Sequence, residues 1–281
     1  MKSKSIFVLL FFVCFKINSF SQDVKLKKVW ESDTTLTTPE SVFYNAKDQT
    51  IYVSCINGAP SAENSKSFIA KIGTDGKIQK LKLTEDLNST KGLEIVNDKL
   101  YVTEMFKLVE IDAKSGKVIK KYEVPEAKFL NDVSIDRKLN IVYFTDMRSN
   151  RIWMLENGKI VKLTEDTLLK NPNGVLFENG KLLVGNGDGK LLSYDLKTKK
   201  FTVVADVKGG IDGIAADGKK GYFVSEWRGK VWHINPLGKT SLLLDSVNEK
   251  INTADIDYIP SKKLLIIPTF FKNKVVAYSV E

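Results

Sequence analysis

Residues 171–177 read NPNGVLF, with a short amide side chain and a glycine directly before an apolar run. Residues 129–135, FLNDVSI, and residues 209–215, GGIDGIA, have the same outline: a short polar side chain, then Gly or Asp, then an aliphatic residue. One such stretch is an ordinary turn before a strand. Three of them at near-constant spacing indicate a repeat, and polar residues at matching points of a repeat can meet in space.

Six segments align on this outline. They are residues 39–55, 90–105, 130–147, 172–187, 211–227 and 253–270. In each segment, the residue before the Gly, Asp or Ser position is the anchor, and the six anchors are Glu40, Lys91, Asn131, Asn173, Asp212 and Ala254. Successive anchors are 51, 40, 42, 39 and 42 residues apart. This period is typical of a stacked or radial repeat.

Each unit has the pattern of short β-strands. Apolar residues alternate with polar ones or form short runs, and turn sequences such as NG, DG and KTKK separate the runs. Asn-Gly and Asp-Gly fit two-residue hairpins because they adopt positive φ at low cost. Helical repeats of this length would need apolar residues three and four positions apart, which these segments lack. We therefore predict an all-β, six-bladed β-propeller with four antiparallel strands in each blade.

The two ends of the chain predict how the ring closes. Only 27 residues follow Ala254, which leaves room for three strands in the last unit. Residues 24–32, VKLKKVWES, alternate like the outer strands of the other units. An N-terminal strand that completes the last blade would leave no unpaired sheet edge. We expect residues 22–281 to form a single propeller domain.

The start of the chain has the plan of a secretory signal peptide. A short basic segment precedes ten apolar residues at 6–15, and small residues follow at Ser19 and Ser21. A membrane anchor is the alternative, but a bilayer-spanning helix needs about 20 apolar residues. The sequence predicts a signal peptide over residues 1–21, export to the periplasm or the medium, and no membrane span. Only Cys55 then remains, which excludes an internal disulfide.

The positive charge of the chain is dispersed. The formal net charge of +9 falls to +6 once the three lysines of residues 1–21 leave. The remaining lysines are scattered through stretches that resemble turns, and no basic run with interleaved aromatic residues stands out. A solvated basic surface is therefore expected, and nucleic acid is not an expected partner.

Propeller geometry brings the anchors together. The first strand of each blade lines the central channel, so a residue at its entrance points toward the axis at one mouth. Four anchors, Glu40, Asn131, Asn173 and Asp212, offer only oxygen ligands, which hard cations such as Ca²⁺ and Mg²⁺ prefer. The alternative for each single residue is a turn in which the side chain bonds nearby backbone.

At these residues the chain resembles the regucalcin and gluconolactonase-like six-bladed propellers, which are related to the paraoxonases. The motifs are PESVFY with Glu40, LNDVSID with Asn131, PNGVLF with Asn173 and IDGIAAD with Asp212. The resemblance covers the whole mature chain and implies that these four residues hold a divalent metal. We expect Ca²⁺ first and leave Mg²⁺, Mn²⁺ and Zn²⁺ open. The resemblance also implies hydrolysis of sugar lactones or of other esters and phosphoesters.

The chain departs from that family in its second and third blades. Lys91 stands at the second anchor, where its ammonium could bond Glu40 or Asp212 and compete with the metal, or could hold an anionic or carbonyl substrate. Phe129 stands where the gluconolactonase pattern has an arginine, which weakens the case for a sugar-acid substrate. The paraoxonase histidine pair has no counterpart, because His233 is the only histidine.

The ends of the second strands predict another ring at the same mouth. These positions carry Glu104, Asp146, Asn186 and Glu226, followed by Trp227. One interpretation is a substrate-binding ring with Lys91, since aromatic and polar groups together suit an organic ligand. The other is that Ser/Thr–Asp/Glu pairs tie adjacent blades together. Residues 56–66 add a long link on the same face and are a candidate lid.

The chemistry that follows is Lewis-acid hydrolysis of a small-molecule substrate, such as a lactone or a sugar acid derivative. A divalent cation would polarise the carbonyl or phosphoryl oxygen, and a nearby carboxylate would handle the proton. Asp212 is the first candidate for that carboxylate and Asp132 the second. The alternative is a non-catalytic exported propeller that binds a small molecule or a protein, because fold does not fix function. A strictosidine-synthase-like or NHL-type scaffold shares the architecture without requiring the four oxygen ligands.

Overall fold

The computed structural model describes residues 24–281, which form six antiparallel sheets of four strands each. The inner strands of consecutive sheets contact each other, and those of the first and last sheets also meet, so the sheets close into a ring. The predicted six-bladed propeller is confirmed. The predicted signal peptide lies outside the described residues, so it and the export that it implies stay predictions, as does the domain boundary at residue 22.

The first strand and the first three blades follow in chain order. The N-terminal strand is β1 (Leu26–Glu31). Blade 1 comprises β2 (Pro39–Asn45), β3 (Thr50–Cys55), β4 (Ser67–Gly73) and β5 (Ile78–Leu87). Blade 2 comprises β6 (Leu93–Val96), β7 (Lys99–Thr103), β8 (Lys107–Asp112) and β9 (Val118–Glu123). Blade 3 comprises β10 (Leu130–Asp136), β11 (Ile141–Asp146), β12 (Arg151–Glu156) and β13 (Lys159–Glu165).

The last three blades continue the same pattern. Blade 4 comprises β14 (Val175–Glu178), β15 (Lys181–Gly185), β16 (Lys190–Asp195) and β17 (Lys200–Asp206). Blade 5 comprises β18 (Ile211–Ala216), β19 (Tyr222–Glu226), β20 (Lys230–Ile234) and β21 (Thr240–Asp245). Blade 6 contributes β22 (Asp257–Ile259), β23 (Leu264–Pro268) and β24 (Val275–Val280). Two short 3₁₀ helices, Pro260–Lys262 and Phe270–Lys272, lie between these last strands.

The ring closes through its N-terminal strand, as predicted. Strand β1 pairs antiparallel with β24, with Leu26 opposite Val280 and Glu31 opposite Val276. Blade 6 therefore has the strand order β1-β24-β23-β22. Both ends of the described chain lie in one sheet, and no blade lacks its outer strand.

Local sequence explains the hairpins within the blades. The Asn-Gly pair at 157–158 joins β12 to β13, and that at 179–180 joins β14 to β15. Both residues of each pair have positive φ, at 50° and 74° in the first and at 50° and 75° in the second. These values match the two-residue turns that suit the right-handed twist of paired strands.

The core consists of apolar layers between neighbouring blades. Between blades 3 and 4, for example, Tyr143 and Ile152 pack with Val184 and Leu192. The inner strand β10 is buried along its whole length, whereas the outer strand β17 is mostly exposed. Over residues 24–281 the structure contains no helix with the length and apolarity to cross a membrane.

Candidate functional site

The anchors meet at one mouth of the central channel. A cavity of about 300 Å³ is lined by all four predicted metal ligands and by Lys91; the ligands are Glu40, Asn131, Asn173 and Asp212. The sixth anchor, Ala254, packs in a small apolar cluster with Ile56 and Phe270. The structure thus brings together the residues that the sequence repeat placed at matching points. Their metal-binding role stays a prediction.

Irregular pairing at the start of the inner strands positions three of these anchors. The register shifts between Pro39 and Ser41, between Leu130 and Val133, and between Ile211 and Ile214. A bulge of this kind re-aims a side chain that regular pairing would direct elsewhere. Glu40, Asn131 and Asp212 each lie within such a shift.

Hydroxyl groups from the second strands hold these irregular segments. Thr145 Oγ1 accepts a hydrogen bond from Asp132 N at 3.1 Å and donates one to Asn173 O of the next blade at 2.7 Å. Ser225 Oγ does the same in blade 5, with Gly213 N at 2.9 Å and Ala254 O at 2.7 Å. One hydroxyl thus ties each of these bulges to the anchor of the following blade.

The predicted second ring mainly binds backbone. Glu104, Asp146 and Asn186 accept hydrogen bonds from loop N–H groups that lie two or three residues before an anchor; the donors are Asn88 at 2.8 Å, Phe129 at 2.9 Å and Lys170 at 3.2 Å. These bonds hold the linker that enters each blade against the second strand of the same blade, whereas the hydroxyls of Thr145 and Ser225 reach the following blade. None of the three ring residues lines the anchor cavity, so a substrate role for them remains only a prediction.

In blade 5 the residue at the end of the second strand, Glu226, has different surroundings. The carboxylate of Glu226 lies against Gly209, where a Cβ atom would stand 2.6 Å from Glu226 Cδ. A larger residue at that point of the loop would displace the Glu226 carboxylate. Trp227, the next residue, is the member of the predicted ring that lines the anchor cavity. Substrate roles for Glu226 and Trp227 stay predictions.

Two carboxylates at the floor of the cavity have free oxygen atoms. Glu40 Oε2 and Asp212 Oδ2 are buried and have no hydrogen-bond partner in the described chain. Asp212 Oδ1 accepts a hydrogen bond from Asn173 Nδ2. Burial raises the pKa of Asp212 to about 7, although the Asn173 bond and the Lys91 charge lower it. Burial likewise raises the pKa of Glu40 well above its ordinary value.

Lys91 fastens the long loop of blade 1. Its Nζ donates to Pro60 O at 2.7 Å and also contacts Ser89 Oγ at 3.1 Å and Ser89 O at 3.3 Å. The ammonium also lies 4.7 Å from the centre of the Phe129 ring. Burial lowers the pKa of Lys91 to about 8, against the charges of Glu40 and Asp212, which raise it. Within residues 24–281 Lys91 thus bonds this loop and the linker before blade 2, and it forms no ion pair with either carboxylate.

The walls of the cavity are largely apolar. Ile56 and Pro60, both from the predicted lid segment 56–66, line it together with Met147 and Phe270. Phe129 lies beneath the guanidinium of Arg148, whose Cζ is 4.4 Å from the ring centre. The sequence repeat missed Ile56, Pro60 and Met147 as lining residues, because they lie outside the anchor positions. Loop 56–66 lies on the expected face, and its action as a lid stays a prediction.

The donor set fits a hard cation. In the described part of the chain no group of three His, Cys, Asp or Glu side chains is placed to hold a metal. A cation at this mouth would therefore be held by two carboxylates and two Asn amides. Two buried carboxylate oxygens without partners are the groups that such a cation would satisfy.

A second cavity of about 420 Å³ lies along the inner strands away from the anchors, and buried acids line it: Glu94, Asp132, Asp255 and Asp257. Asp132, the second catalytic candidate, belongs to this group and does not line the anchor cavity. Its carboxylate accepts hydrogen bonds from Val133 N at 2.7 Å and Val175 N at 2.6 Å.

The other acids of this cavity also bind the following blade. Glu94 accepts from Ile135 N at 3.0 Å, Asp257 from Tyr44 N at 2.7 Å, and Asp255 from Ser41 Oγ at 2.5 Å. The sequence contains a signal for these residues, because each follows an anchor at a short distance. Asp132 and Asp255 come directly after an anchor, and Glu94 and Asp257 come three positions after one. Their geometry indicates that they join blades.

Comparison with solved structures places this architecture among known propellers. Virginiamycin B lyase from Staphylococcus aureus aligns with a TM-score of 0.64 at 16% identity, covering 92% of this chain and 99% of that one. A gluconolactonase from Xanthomonas campestris aligns with a TM-score of 0.65 at 15% identity, covering 87% and 86%. The chain shares their propeller fold. Neither a protein-family model nor a curated protein sequence matches it.

The fold occurs in proteins with different roles. A chain of a nidogen/laminin complex also aligns, with a TM-score of 0.60 at 15% identity, covering 85% of this chain and 87% of that one. At these identities the likeness shows the fold. Function must therefore be argued from the residues of the anchor cavity.

Proposed function

We propose that the protein is a metal-dependent hydrolase that opens a lactone or an ester at the anchor cavity. The cation would be held by Glu40, Asn131, Asn173 and Asp212. One observation carries the proposal: two buried carboxylate oxygens that have no partner among residues 24–281 belong to residues that line a small cavity with mainly apolar walls.

Electrostatics supports a cation at this position. Two neighbouring carboxylates that are buried without full hydrogen bonding disfavour their own ionisation, and this raises the pKa values of Glu40 and Asp212. A divalent cation would favour the ionised form of both groups. Calcium is the first choice because all four side chains offer oxygen, and Mg²⁺, Mn²⁺ and Zn²⁺ are the alternatives.

The residues of the site then have separate tasks. A bound divalent cation supplies Lewis acidity to the reacting carbonyl and acidity to an attacking water. Asp212 would accept the proton of that water, because its Oδ2, which has no hydrogen-bond partner within residues 24–281, can contact both the cation and the water. Asn173 orients Asp212 through its hydrogen bond to Oδ1. The apolar walls limit access of bulk water.

The walls also bear on the substrate. Ile56, Met147 and Phe270 offer apolar contact rather than the several hydrogen bonds that a polyhydroxylated sugar needs. Phe129 adds to this character where the gluconolactonase pattern has an arginine. We therefore favour a lactone or ester with an apolar portion over an aldonolactone, although the neighbour from Xanthomonas campestris is described as a gluconolactonase.

The test compares metal content, stability and turnover in one preparation. The full chain would be stripped with chelator, and calcium, manganese or zinc would be returned singly. We expect one cation per chain and cation-dependent hydrolysis of a panel of aliphatic lactones, aldonolactones and aryl esters. Asp212→Asn should lower turnover at least a hundredfold, which is the scale of losing a positioned proton acceptor. Asp206→Asn, at the end of β17, is the matched control. Absence of bound cation and of any cation-dependent turnover would overturn the proposal.

The second candidate is a propeller that binds a ligand without turning it over. The observation in its favour is Lys91, whose buried positive charge already interacts favourably with Glu40 and Asp212. This candidate predicts that a small molecule enters the cavity in the absence of cation. Ligand binding that survives chelator, together with no hydrolysis on the panel, would favour it.

A further inference from the structure

An open groove adjoins the anchor cavity on the blade 5 and blade 6 side. Its volume is about 450 Å³, and three cations and two large aromatic side chains characterise it: Arg228, Lys250, Lys272, Trp227 and Phe271. We name it the basic groove. The two aromatic side chains are solvent-exposed, Trp227 at 38% and Phe271 at 58%. Trp227 also lines the anchor cavity, so the two spaces share a wall.

The charge of the basic groove is unbalanced. Among the described residues no Asp or Glu lines it. Lys274, close by in sequence, forms an ion pair with Glu31. Within residues 24–281, by contrast, the ion pairs include none of Arg228, Lys250 and Lys272. Three cationic side chains that line one groove favour an anion there, and two acids, Asp188 and Glu226, line the neighbouring pocket that shares Arg228.

The aromatic side chains form a fixed cluster. The Trp227 and Phe271 rings are 5.8 Å apart with an interplanar angle of 78°. Phe270 packs behind both, 5.4 Å from Trp227 and 4.8 Å from Phe271. Edge-to-face packing of this kind holds exposed rings in place before a ligand arrives.

We propose that the basic groove binds an acidic oligosaccharide made of uronic acid units. Sugar rings pack their C–H faces on exposed aromatic side chains, and uronate carboxylates fit Arg228, Lys250 and Lys272, with Arg228 able to bind two oxygens at once. This site goes beyond the proposed hydrolysis, because its residues are not the proposed metal ligands and an oligosaccharide could bind there without being hydrolysed.

Two other anionic partners fit the geometry less well. Successive bases of a nucleic acid strand stack on parallel ring faces, whereas Trp227 and Phe271 are nearly perpendicular. A membrane surface would require the cationic and aromatic side chains to project outward together, whereas here they line an open groove that shares Trp227 with the anchor cavity. A short, bent, charged saccharide satisfies both observations.

Binding can be measured directly on the full chain with chelator present, so that hydrolysis plays no part. Trigalacturonate and trimannuronate would be titrated by calorimetry, with the fully methyl-esterified trimers as matched neutral probes. We expect the acidic trimers to bind at least tenfold more tightly than their esters, and an increase in salt to weaken binding because it screens exposed charges. Binding of neither acid, or equal binding of acid and ester, would overturn the proposal.

Variants then locate the site. Combined Arg228→Gln, Lys250→Gln and Lys272→Gln changes should weaken binding tenfold or more, at up to about fivefold for each exposed charge. Phe271→Ala should weaken it about tenfold through loss of ring contact. Lys239→Gln, an exposed lysine at the opposite end of blade 5, should leave affinity unchanged. Thermal melting confirms that each variant is folded. Tighter binding to a single-stranded oligonucleotide or to vesicles of anionic lipid would contradict the assignment.

Discussion

The anchor cavity and the second channel cavity both contain buried carboxylates, but the two groups have different partners. Along the second cavity, Asp132, Glu94 and Asp257 each accept a backbone N–H from the following blade. At the anchor cavity, Glu40 Oε2 and Asp212 Oδ2 have no partner within residues 24–281. Residue type is the same in both places, and Asp132 is as deeply buried as Glu40 and Asp212. The difference is whether the fold itself uses the oxygen atoms.

This difference separates structural acids from functional ones. Burial of an acceptor oxygen without a hydrogen bond lowers the stability of the fold. A ligand that binds this oxygen removes that cost, and its binding is stronger as a result. A buried acceptor that the backbone occupies instead contributes to stability. We therefore expect substitutions in the two cavities to change the free energy of unfolding in opposite directions.

The largest effect should come from Asp132→Ala. This change leaves Val133 N and Val175 N without their acceptor inside the fold. Loss of two buried hydrogen bonds should lower the free energy of unfolding by about 3 kcal/mol. Urea unfolding monitored by tryptophan fluorescence measures it, with Asp206→Asn as control. A loss below about 1 kcal/mol would mean that Asp132 does not join the blades.

Asp212→Asn should have the opposite sign when cation is absent. At pH 8 the Asp212 carboxyl, with its pKa raised to about 7, is ionised in a buried site. Removing that charge should raise the free energy of unfolding by about 2 kcal/mol in chelator. Added calcium should stabilise the wild-type protein and leave the variant unchanged, because a ligand stabilises only the state that binds it. Destabilisation of the variant in chelator would place Asp212 with the structural acids.

The pH dependence of stability should identify Glu94. Burial raises the pKa of Glu94 from 4.5 to about 7, and the negative charge of Asp257 adds to this increase. The charge of Arg137 and the hydrogen bonds from Ser134 and Ile135 lower the pKa by less. The native state then binds the proton more tightly than the unfolded state, so the free energy of unfolding falls as pH rises from about 4.5 to 7.

Glu94→Gln should flatten that fall by about 1 kcal/mol per pH unit, because the variant side chain does not titrate. The measurement is urea unfolding at several pH values between 4.5 and 8, with Glu249→Gln, an exposed glutamate in the linker before blade 6, as control. Identical slopes in wild type and Glu94→Gln would contradict the raised pKa.

The smallest effect should come from Lys91→Met, which roughly keeps the length of the side chain and removes its charge. Loss of a buried positive charge near Glu40 and Asp212 should increase calcium affinity several-fold. Loss of the bond to Pro60 O should also increase proteolysis within residues 56–66. Lys66→Met, in the same loop, controls for loop composition. Unchanged calcium affinity would show that the ammonium does not act on the metal site.

The sequence predicted most of the fold because one spacing repeats along the chain. The anchors recur about every 40 residues, so strand order, blade number and the pairing of β1 with β24 followed from counting. The same counting brought Glu40, Asn131, Asn173 and Asp212 to one cavity. Positions that share a point in a repeat share a place in the structure.

Side-chain direction could not be predicted in this way. The ammonium of Lys91 turns to Pro60 O in a loop whose path no repeat specifies. Glu104 and Asp146 occupy repeat positions at the right mouth, yet they bind loop backbone whose N–H groups need acceptors. Trp227, Lys250 and Phe271 come together only through the packing of blade 5 against blade 6.

The pairing of β1 with β24 has a consequence for synthesis. Leu26 emerges early from the ribosome and must wait for Val280, its partner in the sheet. Contacts between residues so distant in sequence form slowly, because a long loop must close first. Blades 1–5 can fold one after another as the chain grows, whereas blade 6 cannot be completed until β24 has been synthesised. Until then the nascent chain is an open arc whose end blades expose the apolar faces that blade 6 later covers, and this is the period in which it is most prone to associate with a neighbouring chain.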